Sequence, residues 1–87
     1  MAVGIPKVSE DSKKVLRLIR AHGVCAGWQL MSEARLNTER LSEVATELLN
    51  AQLVSASGSL VPQEIEKTFF NVQPSNVRLT EYVLNAP

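Results

Sequence analysis

The chain has 87 residues, 45% of them hydrophobic, and a formal net charge of zero from nine Lys and Arg against nine Asp and Glu. That length holds one domain, and that apolar fraction excludes a disordered tail. Neutrality removes the basic excess from which a dedicated nucleic-acid binder draws its non-specific affinity. The lone cysteine, Cys25, excludes an internal disulfide and fits a reducing compartment. No apolar run approaches the roughly 20 residues of a membrane helix, and residues 1–14 lack the pattern of a secretory signal. The sequence therefore predicts a cytoplasmic protein with no membrane partner.

Residues 1–8 read as a flexible N-terminal arm, because Gly4 and Pro6 discourage regular structure. Ser9 or Asp11 can cap a first helix over residues 10–22, with Val15, Leu16, Leu18 and Ile19 on one side and Gly23 as its stop. Val24-Cys25-Ala26 is a short extended piece. A second helix follows from Gly27 to Arg35, with Leu30, Met31 and Ala34 as a short buried stripe. Leu36 anchors a tight turn and Asn37 caps a third helix over residues 38–50. There Leu41, Val44, Ala45, Leu48 and Leu49 keep the i, i+3, i+4, i+7, i+8 spacing without a miss. A strand over residues 53–56, a loop from Ser57 to Lys67 and a second strand over residues 68–72 predict an antiparallel hairpin. Pro74-Ser75 opens a last helix, whose apolar residues Val77, Leu79, Val83 and Leu84 fall on more than one side.

The predicted fold class is mainly α with a small β-hairpin: a three-helix core, a β wing and a C-terminal helix, forming one domain over residues 9–87. This order resembles the winged helix-turn-helix superfamily, and most of all the core of MarR-type regulators. The residues that carry the likeness are Leu30, Met31, Ala34 and Leu36, then Leu41, Val44, Leu48 and Leu49, then Leu53-Val54. The resemblance implies that the third helix enters the major groove of duplex DNA and that the hairpin forms the wing. It also implies a homodimer built from terminal helices.

On that resemblance the DNA-binding residues are Asn37, Thr38, Arg40, Ser42 and Thr46, with Lys67 from the wing. Charge pulls the other way. Glu39, Glu43 and Glu47 form a carboxylate stripe on the third helix, with Arg40 as its one cation. The loop at residues 57–67 holds Glu64, Glu66 and only Lys67, whereas a wing that probes the minor groove is expected to carry Arg or Lys near its tip. Leu60, Val61 and Ile65 in that loop look like packing or contact residues. Lys13, Arg17 and Arg20 line one face of the first helix, with Lys14 beside them. The plain account is a solvated surface, and the sharper one is a partner contact, with the Glu39/Glu43/Glu47 row of a second copy as a candidate. Leu79, Tyr82 and Val83 on the last helix have two readings, packing across the first helix or completing the candidate partner interface.

The remaining conspicuous residues argue against catalysis. His22 stands at a helix C-terminus, where its partial charge is favourable, and a zinc site would need a second His or Cys. Cys25 reads as a small buried hydrophobe. Asp11 reads as a cap, and Trp28 is expected to pack on the core or the hairpin, with a partly exposed interface anchor as the alternative. No carboxylate pair sits in an evident cleft, and the four glycines form no phosphate loop. The expectation is a non-enzymatic chain without cofactor or metal. It would work as a DNA-binding transcriptional regulator or, alternatively, as a protein-interaction module or small subunit of a larger complex.

Overall fold

The computed structural model describes residues 8–85. The expected arm lies outside these residues except for Val8, which is half-buried against the core. The elements are α1 (Glu10–His22), β1 (Val24–Ala26), α2 (Gly27–Ala34), α3 (Thr38–Asn50), β2 (Val54–Ser57), β3 (Phe69–Val72) and α4 (Val77–Asn85). Single 3-10 turns at Ile65–Lys67 and Pro74–Asn76 precede β3 and α4.

The starts of α1 and α3 and the ends of α1 and α2 each have a local chemical reason. The Ser9 hydroxyl accepts the Ser12 N–H at 3.2 Å, and Glu10 and Asp11 add negative charge to the first turn of α1, where the helix dipole favours it. The helix closes at Gly23 with φ 85°, whose N–H reaches the Ile19 carbonyl at 2.8 Å. A left-handed φ of that size costs glycine least. Arg35 ends α2 in the same left-handed region at φ 58°, one residue earlier than the sequence predicts. The Asn37 side chain accepts the Arg40 N–H at 2.7 Å and starts α3, whose span matches the predicted one.

The sheet has three antiparallel strands in the order β1-β3-β2. The sequence predicts the hairpin and a short strand after α1, without a pairing for that strand. The extended piece after α1 becomes a third strand, with Cys25 opposite Phe70 and Val24 opposite Asn71. Across the hairpin, Ala56 lies opposite Phe70 and Ser57 opposite Phe69. Alternation along β3 turns Phe70 into the core and leaves Phe69 outward.

Leu16, Ile19, Leu30, Leu41, Leu48, Leu53, Ile65 and Phe70 are fully buried in one cluster. Burial of each such side chain contributes about 1.5–3 kcal/mol relative to exposure. The loop between the hairpin strands joins this core. Ile65 inserts into it, the Gly27 N–H donates to the Thr68 carbonyl at 2.8 Å, and the Ser42 hydroxyl holds the Leu60 carbonyl at 2.6 Å. Of the three apolar loop residues, only Val61 stays exposed. A Cβ on Gly27 would stand 1.8 Å from the Ile65 carbonyl oxygen, so only glycine fits there.

The last helix lies across α1. Thr80, Val83 and Leu84 face inward and Leu79 is half-buried. Arg20 of α1 meets Glu81 of α4 at 2.6 Å. Two sequence expectations fail here. Val83, a candidate for the partner interface, is 1% exposed and belongs to the core, because α4 turns its Thr80–Val83–Leu84 side onto α1. Asp11 is not the cap of α1, since Ser9 takes that place. No helix among the described residues is long and apolar enough to cross a membrane.

Candidate functional site

Two surfaces hold the residues with chemistry to offer. The first is the seam where the start of α1 lies against α3. Glu47 projects from α3 to the first turn of α1. One of its carboxylate oxygens accepts the Ser9 N–H at 2.9 Å and the Ser12 hydroxyl in a close hydrogen bond. Glu47 thus supplies acceptors to a helix N-terminus from another element, a task its own stretch of sequence does not reveal. These donors stabilise the carboxylate and hold Glu47 below the usual carboxylate range, with the Ser12 hydrogen bond as the largest cause.

Two turns toward the start of α3, every nitrogen of the Arg40 guanidinium has a partner. Nε donates to Asp11 at 2.9 Å, one terminal nitrogen to Glu43 at 3.0 Å, and the other to the Ser9 hydroxyl at 3.5 Å. The hydrogen bonds to Asp11 and Glu43 fix the guanidinium still more firmly in its charged form. The other residues assigned to DNA contact are mostly engaged as well. Asn37 caps α3, Thr38 donates to Glu39 at 2.5 Å, Ser42 holds Leu60, and Thr46 donates to the Ser42 carbonyl at 2.8 Å. Lys67 is exposed at the end of its 3-10 turn and makes no ion pair among the described residues.

The outward face of α3 is therefore acidic, with Glu39 and Glu43 exposed and a shallow hollow lined by Ser42, Glu43, Thr46, Glu47 and Asn50. Glu47 does not stand on this face as the third member of a solvated row, because Ser9 and Ser12 draw it into the seam. The basic stripe of α1 is divided in the same way. Lys13 is half-buried beside Glu10 at 3.7 Å and Arg20 pairs with Glu81, which leaves Lys14 and Arg17 exposed and without an ion pair among the described residues. A continuous basic row meeting a continuous acidic row does not survive this placement.

The second surface is the outer side of the sheet together with α4. Trp28, expected to pack on the core or the hairpin with a partly exposed interface anchor as the alternative, is 62% exposed at the start of α2. The close approach of Gly27 to the loop sends the next side chain outward. Phe69 is 52% exposed and lies opposite the buried Ala26, while the exposed Val24 lies on the same side of the sheet opposite Asn71. From Val24 a groove runs between the end of α1, β3 and α4, lined by Val24, Asn71, Val72 and Val77 and crossed by the Arg20–Glu81 ion pair. Val77 and Tyr82, the latter 65% exposed, continue the surface along α4. The Thr80 hydroxyl oxygen is buried and has no hydrogen-bond partner among the described residues, a state that costs about 1–3 kcal/mol.

Sequence reasoning missed Val24 and Phe69 as surface residues. The available signal was the period of two across Phe69-Phe70. His22 lies 3.4 Å from Glu33 at the start of the α1–α2 junction. Cys25 is buried, its thiol pushed up by burial and next by the charge of Glu33. No group of three His, Cys, Asp or Glu side chains among the described residues could hold a metal ion. Comparison of the chain with family models, curated proteins and solved structures finds no significant match.

Proposed function

We propose that this chain is a non-enzymatic winged-helix module that docks on another protein through the outer side of its sheet and α4. The observation that carries the reading is the set of large apolar side chains left exposed, Val24 and Phe69 on the outer side of the sheet and Val77 and Tyr82 on α4. They stand among the polar side chains of Asn71, Arg78 and Glu81, the mixture of apolar anchors and polar surroundings found in protein interfaces. Tyr and Phe are also the residue types that anchor interfaces. The order of elements and the β1-β3-β2 sheet support the winged-helix reading.

The rival reading is a duplex-DNA regulator, favoured by the same order of elements and by the exposed Lys67. It asks α3 to approach phosphates with Glu39 and Glu43 exposed and with its one cation committed to two carboxylates. Fluorescence anisotropy with mixed-sequence duplex DNA separates the two readings. The protein-docking reading expects no binding even at low salt. Binding that weakens steeply toward physiological salt overturns it.

A further inference from the structure

The geometry points to Asp11 and Glu43 as specificity-determining residues that exclude polyanions from α3 by occupying Arg40; this inference rests on the protein-docking reading above. A guanidinium that reads phosphate or a base edge does so by presenting its planar fork of N–H donors. Here that fork is already filled. Asp11 takes Nε at 2.9 Å, Glu43 takes one terminal nitrogen at 3.0 Å, and Ser9 lies 3.5 Å from the other.

The two carboxylates come from different elements and meet at one guanidinium. Asp11 lies in the first turn of α1, whose N-cap is Ser9 and whose dipole is also met by Glu10 and by the Glu47 carboxylate. Glu43 is an exposed residue in the middle of α3. Their shared property is reach to Arg40. Glu39, exposed one turn before Glu43, adds a third negative charge on the path by which a phosphate backbone would arrive. A polyanion would have to displace two carboxylates from Arg40 and leave them uncompensated beside it, and like charge at that distance opposes binding.

The test is fluorescence anisotropy of mixed-sequence duplex DNA at low and at physiological salt, with circular dichroism to verify folding. The wild-type chain is expected not to bind. The triple variant Asp11→Asn, Glu39→Gln, Glu43→Gln is expected to bind at low salt in the range of non-specific association, a Kd on the order of 10⁻⁴ to 10⁻⁶ M, with steep weakening as salt rises. Addition of Arg40→Gln to that background should abolish the gain. A control with the same change in net charge, Glu33→Gln, Glu64→Gln, Glu66→Gln, should remain non-binding. Should the triple variant fail to fold, the pair Asp11→Asn, Glu43→Gln, set against Glu64→Gln, Glu66→Gln with the same change in net charge, carries the test, since these two carboxylates hold Arg40. A folded variant that gains nothing, or a control that gains as much, overturns the inference and leaves the protein-docking reading standing. Wild-type binding overturns both.

Discussion

The seam between α1 and α3 and the side formed by the sheet and α4 treat their side chains in opposite ways. In the seam nearly every polar group is engaged within the chain: Ser9, Ser12 and Glu47 in one cluster, Asp11, Arg40 and Glu43 in another. On the other side Phe69, Val24, Val77 and Tyr82 stand exposed, and the buried Thr80 hydroxyl has no partner among the described residues. Charges on α3, where a nucleic-acid reader keeps its free donors, serve the fold here. Apolar area that could contribute to the core is instead held at the surface. On the protein-docking reading such a division separates a stabilising region from a docking surface, and substitutions in the two regions should have opposite consequences.

The largest effect is expected where the frame that keeps the two regions apart would break. Gly27→Ala drives a Cβ onto the Ile65 carbonyl and should destabilise the fold by more than about 4 kcal/mol, seen as loss of the cooperative thermal transition. Leu48→Ala removes a fully buried side chain of α3 and should cost about 2–5 kcal/mol in denaturant unfolding. Glu47→Ala leaves the buried Ser12 hydroxyl without its acceptor and should cost about 1–2 kcal/mol by the same measurement.

The seam also predicts a direction with pH. The Glu47 carboxyl is held below its unfolded value, so its contribution is present above the unfolded pKa of about 4.3 and is lost as pH falls through the lower folded value. Glu47→Gln should flatten that acid limb of the stability curve while leaving the neutral region lower throughout. The smallest effects belong to the other side. Tyr82→Ser and Phe69→Ser should change stability by no more than about 0.5 kcal/mol, since neither side chain contributes to the core.

The long-range half of this contrast is what the sequence conceals. The span of α3 was legible because Leu41, Val44, Ala45 and Leu48 repeat at the helical period and Asn37 caps them. The hairpin was legible from its β-formers, whereas the pairing of β1 with β3 joins residues about 45 apart in the chain, and no local pattern encodes it. Glu47 read as solvent-facing because its spacing from Glu39 and Glu43 is helical, yet it sits at the flank of the buried stripe. Its partners, Ser9 and Ser12, come from α1. The basic residues of α1 were visible as a row. That Glu81 would take Arg20 depended on how α4 is placed, whereas the Lys13–Glu10 pair is an i,i+3 contact within α1 that the spacing already contains.

Photo-crosslinking in cells separates a protein-docking surface on α4 from a nucleic-acid surface on α3, with a benzophenone amino acid at Tyr82 in one variant and at Thr46 on the outward face of α3 in another. A docking surface gives a protein adduct of one discrete mass from position 82, lost when Phe69→Ser is added, and none from position 46. Nucleic-acid adducts from position 46 with none from position 82 would contradict the protein-docking reading.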